Sequence, residues 1–433
     1  MKQILKTAIV TILTWQSKQV LKKYKPKIVA VTGSVGKTST KDAIFTVLSS
    51  FFFVRKSEKS FNSDLGVPLT ILGCPNGWNS PIVWIKNIME GFALIFLPNH
   101  YPEWLVLEVG ADRPGDIEAL SVWIKPDVCV ITRLSKVPVH VEFFSNPEAV
   151  YKEKGFLVQA LKRDGILILN ADDEDVLAYR NLYEGTKILY GTHSTSEVIG
   201  TGYKTLYADR ETDKKPIGVA FDVSYKENTD EIEIHGGLGV QQMYPALAAV
   251  AVGVSQNLEL SKVAHAMKNH HTSRGRMKIV PGIKYTTIID DTYNSSPVAV
   301  SEALKTLGGI VTSGRKIAVL GDMLELGAFS IDEHKKAGME SAKVSTILFT
   351  VGVRARGIAE GALIGGLPES AIFQYEDAQK AGKELELMMK ENDVVLIKGS
   401  QGIRMEQTVE EVMENPSMKE RLLVRQDKEW SER

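Results

Sequence analysis

The sequence predicts an α/β protein of two successive sheet-and-helix domains, and three observations predict it. Residues 28–42 read IVAVTGSVGKTSTKD, an apolar β-branched run that breaks at a glycine-bearing loop and re-enters helix-compatible sequence. The same rhythm of apolar run, turn and helix then recurs along the chain. A basic, glycine-bearing interruption at 270–280 ends it, after which the rhythm restarts in dinucleotide-fold style without a glycine fingerprint of its own.

Strand, glycine loop and helix in that order bring backbone N–H groups and a helix N-terminus to one point, which makes an anion site. Gly33 and Gly36 allow the turn with no Cβ in a phosphate's path. Ser34 and Val35 lie between them, and Lys37, Thr38 and Ser39 open the helix. Lys37 is placed for the β- and γ-phosphates and the Thr38 hydroxyl for Mg²⁺. The spacing is not the strict Walker pattern, because the position five before Gly36 is Val31. An ordinary glycine turn is the competing reading.

A length of 433 residues fits two or three domains, and 24% charged with 44% hydrophobic residues is ordinary for a globular enzyme. A formal net charge of −1 gives no reason to expect nucleic acid or an anionic membrane as a bulk partner. The two cysteines, Cys74 and Cys129, lack metal-ligand spacing, which suits a reducing cytoplasm.

Residues 1–27 are expected to form an amphipathic helix. Ile4, Leu5, Ala8, Ile9, Ile12 and Leu13 fall at helical spacing, with lysines at 2, 6, 18, 22 and 23. Thr7, Thr11 and Thr14 interrupt a stretch already too short to span a bilayer, and no cleavage site follows. Packing on the first domain is expected, with docking on a membrane surface or a partner protein as the alternative.

A helix is expected over 38–50 and a strand at 51–54 (FFFV). Residues 62–72 start as polar loop and hold a Gly-Val-Pro turn; 84–97 read as a buried helix. Leu105 to Leu107 is a strand ending in Glu108, where a nucleotide-bound Mg²⁺ wants an oxygen ligand. The competing reading is a carboxylate that faces solvent. A strand at 128–134 leads to His140 and Glu142. A lone histidine there is ordinarily structural. Lys154 falls in the next helix, and GILILNADD (165–173) is another strand. Residues 217–235 alternate about a polar turn at 226–230, a hairpin. Residues 243–269 return to helix. Beyond the interruption, strands are expected at 286–291, 316–322, 345–352 and 394–400. Asp290 to Asn294, Gly321-Asp322 and Lys398 to Ser400 then fall at carboxyl ends of strands, where open sheets bind ligands. Turn chemistry alone also accounts for each cluster singly. The apolar run in 422–430 is expected to dock on the second domain.

In order from residue 32 to 406 stand TGSVGKTSTK, NSDLGVPLTIL, VLEVGADRPGDI, KEKG, NADD, GRMK, DDTYNSSP, VLGDMLELG and KGSQGIRME. As a set they closely resemble the Mur ligases of peptidoglycan synthesis, most of all the branch that adds D-alanyl-D-alanine to a UDP-N-acetylmuramoyl tripeptide. The resemblance covers about nine-tenths of the chain. It implies a P-loop ATPase central domain (28–273) followed by a Rossmann-like C-terminal ligase domain (274–433). The implied activity is ATP-dependent amide-bond formation through an acyl phosphate. By similarity Lys37 and Thr38 handle phosphates and Mg²⁺, Glu108 ligates Mg²⁺ and His140 holds a second Mg²⁺. Lys154 matches a lysine that several members carry as a carbamate; a plain surface lysine is the other reading. Arg276 matches an arginine near the phosphates, Asp291 an aspartate near the ribose, with Asn294 beside it. Lys398 and Ser400 match the cleft wall where the amine arrives. The implied partners are a small carboxylate and an amino acid or dipeptide, not nucleic acid. Closure about 270–280 is expected.

Three departures bear on these expectations. About thirty residues precede the phosphate loop where the family has a UDP-sugar-binding domain, so that site is expected to be missing or supplied by a partner. TRLSKVPVHVE is about two residues longer than usual, with Arg133 in place of asparagine. Gln241 and Pro245 stand where histidine and asparagine are usual, and that asparagine helps seat adenine. The alternatives are a Mur-like ligase of another branch, polyglutamate-type or other, and a non-catalytic nucleotide-binding partner subunit.

Overall fold

Successive side chains of β1 (Lys27–Thr32) enter different cores, as the two-residue period of a strand requires. Val29 and Val31 join one apolar cluster, Ile28 and Ala30 another. The strand therefore lies inside a sheet covered by helices on both faces. The computed structural model describes residues 2–58, 61–138, 140–209, 214–427 and 430.

The first sheet has nine strands in the order β2-β3-β1-β4-β5-β6-β7-β8-β9. After β1 come β2 (Val54–Lys56), β3 (Trp104–Glu108), β4 (Val128–Ile131), β5 (Ile166–Asn170) and β6 (Thr186–Gly191). These are parallel throughout. β7 (Val198–Asp209) continues them, and β8 (Lys214–Tyr225) and β9 (Asn228–His235) add an antiparallel end. One face carries α2 (Lys37–Ser49), α8 (Met243–Ser255) and α9 (Leu260–Ala266). The other carries α1 (Lys2–Tyr24), α3 (Gly66–Leu72), α4 (Pro81–Phe96), α5 (Asp116–Ser121), α6 (Pro147–Gln159) and α7 (Glu174–Leu177). Since β1 sits between β3 and β4, the chain changes direction across the sheet there, and the loop after β1 lies at that switch point.

The second sheet has six strands, ordered β10-β11-β15-β12-β13-β14. They are β10 (Lys278–Pro281), β11 (Thr287–Asp291), β12 (Lys316–Gly321), β13 (Ile347–Val351), β14 (Ile372–Tyr375) and β15 (Val394–Lys398). Only β10 runs antiparallel to its neighbour. α10 (Pro297–Gly309), α11 (Ser330–Ser341) and α12 (Arg356–Ile364) cover one face. α13 (Ala378–Met388) and α14 (Glu406–Val412) cover the other. A single apolar cluster runs from Val29 in the first sheet to Leu396 in the second, so the two lobes share a core. The chain passes between them beside a short antiparallel contact, Leu238 N–H to Met277 O at 3.0 Å and Ile279 N–H to Gly236 O at 2.9 Å. Gly275 (φ +65) and Met277 (φ +54) in that crossing are left-handed.

Several local expectations need correction. Of FFFV only Val54 is strand, β2 being displaced to Val54–Lys56, because Phe51 and Phe52 still donate backbone bonds to Leu48 at the end of α2. Gly-Val-Pro is not a turn but the start of α3, where Pro68 loses nothing because first-turn N–H groups have no intrahelical partner. α4 is only half buried, with Ile82, Met89 and Phe96 at 79%, 66% and 72% exposure. The helix over 243–269 breaks between α8 and α9, where Asn257 adopts φ +61. The hairpin turn narrows to Lys226-Glu227. Leu423 is fully buried near the C-terminus, while 428 and 429 of the expected docking run lie outside the described residues.

Candidate active site at the phosphate loop

β1 delivers the chain into Gly33 at φ +147, where an added Cβ would meet the Thr132 hydroxyl at 2.0 Å. Gly36 (φ +85) is the N-cap of α2 and brings no side chain to the first-turn N–H groups, which are left for an anion. The loop is pinned from β4: the Arg133 carbonyl accepts from Ser34 N–H (2.7 Å) and Val35 N–H (3.3 Å). Thr132 Oγ1 donates to Val35 O at 2.7 Å. Lys37 Nζ folds back on Gly33 O at 3.0 Å. Burial lowers its pKa against the pull of Glu108, with Arg276 lowering it further and Asp112 opposing.

Glu108 is 1% exposed at the end of β3. One oxygen accepts from Asn62 Nδ2 at 3.4 Å. The other is buried with no hydrogen bond, 3.9 Å from Lys41 Nζ. An orphan buried carboxylate oxygen beside a phosphate loop fits a hard cation. Among the described residues no three of His, Cys, Asp and Glu converge as a metal cage. Mg²⁺ takes one or two carboxylates and completes its shell with phosphates and water.

Lys154 lies on α6, whose start is set by Asn146 Oδ1 accepting Ala149 N–H at 2.8 Å. Its neighbour Glu153 is buried and accepts the N–H groups of Gly115, Ile117 and Glu118 at 3.0, 2.7 and 3.1 Å. It thereby caps α5 and fixes the loop bearing Asp112. Burial, then the Lys37 ammonium, bring Lys154 down to about 7, with Glu153 and Asp112 opposing. His140 is left-handed at φ 69; its Nε2 lies 3.5 Å from Asp112, and its Nδ1 lies 2.5 Å from Glu325 on the second lobe. His140, ahead of burial, is the main influence on Glu325 and holds its carboxyl below the ordinary value.

From the second lobe Arg276 reaches across, donating from Nη2 to Thr38 Oγ1 at 3.0 Å. Its guanidinium stacks on Tyr293 at 4.2 Å, and its Nε is buried without a hydrogen bond. Asp291 and Lys398 form a second cluster, 2.6 Å apart and largely buried. Asp291 also accepts Met277 N–H at 3.1 Å, and Lys398 donates to Asn294 O at 3.0 Å. Asn294 Oδ1 accepts the next N–H, and Ser400 Oγ accepts Leu324 N–H at 2.8 Å. Arg133 pairs with Glu302 and Gln241 accepts from Thr306 at 3.4 Å, both across the lobes. The fold thus gathers Lys37, Thr38, Glu108 and Arg276 at one point, with Lys154 and His140 joined to them through Asp112. Asp291, Asn294, Lys398 and Ser400 stand in the neighbouring cluster, their polar groups engaged with one another or with nearby backbone. Asn62, Asp112, Glu153 and Glu325 were not singled out from the sequence. Glu325 stands inside VLGDMLELG and Asn62 opens NSDLG, but neither has a spacing that marks it.

The family model for the Mur ligase middle domain matches residues 88–253, and that for the Mur ligase glutamate ligase domain matches 275–401. A UDP-N-acetylmuramoyl-tripeptide–D-alanyl-D-alanine ligase of Bacillus subtilis is 30% identical over 412 residues, covering 94% of this chain and 80% of that protein. Crystal structure I of MurF from Acinetobacter baumannii superposes with a TM-score of 0.76 at 21% identity, covering 94% of this chain and 81% of that one. MurF ligase from Thermotoga maritima in complex with ADP superposes at 0.72 with 24% identity, covering 93% and 83%. On sequence and on fold, this chain belongs to the Mur ligase family.

Proposed function

We propose that the chain is an ATP-dependent ligase that joins D-alanyl-D-alanine to the peptide carboxylate of a UDP-N-acetylmuramoyl tripeptide. The reading rests on the relative from Bacillus subtilis for the substrate pair. The observation that carries the chemistry is the Arg276–Thr38 bond, by which the second lobe reaches the phosphate loop of the first. We place the reaction in the cytoplasm, which supplies ATP and keeps the buried Cys74 and Cys129 as thiols.

A carboxylate is a poor electrophile. An oxygen of the acid attacks the γ-phosphorus, ADP leaves, and the resulting acyl phosphate has a good leaving group. The amine nitrogen then attacks the acyl carbon, loses a proton, and the C–O bond to phosphate breaks. The protein's work is to position the groups and neutralise charge on the transferring phosphoryl. The α2 N-terminus, with the N–H groups of Ser39 and its neighbours, cradles the phosphates. Lys37, released from Gly33 O, and Arg276, released from Thr38, offer cations to them. Thr38 and Glu108 would hold one Mg²⁺, which neutralises the triphosphate and draws electrons from its oxygens. His140, with Lys154 as a carbamate, would supply nitrogen and oxygen donors to a second. A neutral amine is what carbamate formation needs, and a lysine brought down to about 7 offers it. Asp291 and Asn294 would meet the nucleoside side, Lys398 and Ser400 the incoming amine.

The test is phosphate release from ATP with UDP-muramoyl tripeptide and D-alanyl-D-alanine, each alone and together. Release requiring both, with hydroxylamine trapping a hydroxamate only when ATP and the acid are present, is expected. ATP hydrolysis at the same rate without either substrate overturns the ligase assignment.

A further inference from the structure

α1 and α4 pack against each other through specific polar contacts along their length. An added Cβ at Gly91 of α4 would meet the Gln16 amide of α1 at 2.3 Å, and Gln16 Nε2 donates to Ile88 O at 2.8 Å. Lys23 closes the other end on the carbonyls of Leu94, Ile95 and Leu97. With Leu13 and Val20 of α1 and Leu94 of α4 turned into the core, the outer face of the pair is fixed.

That outer face is apolar. On α4, Ile82, Ile85, Met89, Phe92 and Phe96 are spaced by three and four residues, so they share one stripe, and all are exposed. On α1, Leu5, Ile12 and Trp15 continue it, exposed by 61%, 36% and 45%. The two stripes meet where Trp15 lies 6.0 Å from Phe92, and Phe96 stacks on Phe92 at 6.2 Å. Monomeric proteins seldom leave so continuous an apolar face uncovered.

The charges beside it are mainly basic. α1 contains five lysines and no acid, in a chain whose formal net charge is −1. Past Trp15 the same helical face continues into Lys18 and Lys22, both exposed. α4 adds Lys86, paired at 3.6 Å with Glu90, the one acid of that helix. A second copy seated on this face would set lysines against lysines with no α1 acid to receive them. An anionic surface meets them with opposite charge. Among the described residues no helix is long and apolar enough to cross a membrane, so the pair would lie on such a surface rather than span it.

We propose that the outer face of α1 and α4 docks on an anionic lipid bilayer, with Trp15, Phe92 and Phe96 at the headgroup boundary and Lys18 and Lys22 over the charged headgroups. None of these residues belongs to the phosphate-loop cluster, so docking and turnover are separable.

The experiment is co-sedimentation of the full chain with vesicles of phosphatidylcholine alone and of phosphatidylcholine mixed with phosphatidylglycerol, at low and high salt. Binding to the mixed vesicles, weakened by salt and absent from phosphatidylcholine alone, is expected. The Phe92→Glu, Phe96→Glu double variant should bind at least about tenfold more weakly, with unchanged melting temperature and ATP turnover. Binding that the double variant retains overturns the proposal, as does a protein that leaves both vesicle types in the supernatant. So does a dimer, seen by sedimentation, that the double variant dissolves without any vesicle binding; that result gives the face to a second copy.

Discussion

Lys154 has a single physical oddity from which two opposite outcomes follow. Its folded pKa is about 7 against an ordinary lysine value of 10.5, chiefly through burial and then the Lys37 ammonium. Between those values the unfolded chain binds a proton that the folded chain does not, so this group makes stability rise with pH across that window. Lys154→Met removes the effect: the melting temperature near pH 7 should rise, and its pH dependence from 7 to 10.5 should flatten, read by calorimetry. Activity follows pH in the same direction, but replacing Lys154 should cost activity where it gains stability. As pH falls through about 7 the amine protonates, carbamate formation is suppressed, and turnover should drop. Lys154→Arg keeps a cation and cannot form the same carbamate, so kcat should fall on the order of 10²-fold or more. A carbonyl signal taken up from ¹³C-bicarbonate by the parent and lost in the variant identifies the adduct. Lys37→Ala should lower ATP turnover by on the order of 10³-fold with the fold intact; near-normal turnover in a folded variant would contradict the phosphate-loop assignment.

At the scale of elements, α5 depends on a side chain from α6. Glu153 is buried and satisfies at once the N–H of the N-cap Gly115 and two first-turn N–H groups of α5, those of Ile117 and Glu118. Glu153→Ala strands those donors, and urea denaturation should show a loss of about 2–4 kcal/mol. ATP affinity should weaken as well, because the same loop carries Asp112. This dependence explains what the sequence concealed. The two sheets were legible because each buried strand, such as Ile28–Val31 or Val394–Ile397, is a continuous apolar run. The phosphate loop was legible because its glycines and lysine have fixed spacing. Glu153 carries no such mark, since its partners are thirty-five to thirty-eight positions away in the chain. Asn62 and Asp112 likewise acquire meaning only when loops converge. The reading of 84–97 as a buried helix failed in part for a different reason: hydrophobicity at helical spacing shows that a stripe exists, not that something covers it. β7, VIGTGYKTLYAD, has too little alternation to announce a strand and is held by its pairing with β8.

At the scale of the molecule, the two lobes meet through a shared core and a few polar bridges that lie around the phosphate loop. Arg133 is the most informative of these. Its carbonyl holds Ser34 and Val35, while its guanidinium pairs with Glu302 on α10. Burial is the largest single influence and lowers the Arg133 pKa, but the Glu302 charge and hydrogen bond, with Asp173 and Tyr244, together outweigh it and keep the value above the ordinary one. The pair is part-exposed, 35% and 16% at the side chains, so its contribution to overall stability should be only about 1 kcal/mol. Its greater effect should be on the nucleotide site, because loop and partner lobe are tied through one residue. Glu302→Ala frees the guanidinium and leaves the backbone bonds in place. The KM for ATP should rise about three- to tenfold, a loss of up to about 1.4 kcal/mol, with a melting temperature close to the parent's. Arg133→Ala should do the same, and the double variant should be no worse than either single one, since both remove one interaction. If the effects instead add, the two residues act separately, and the loop is coupled to the second lobe through contacts such as Arg276–Thr38 rather than through this pair.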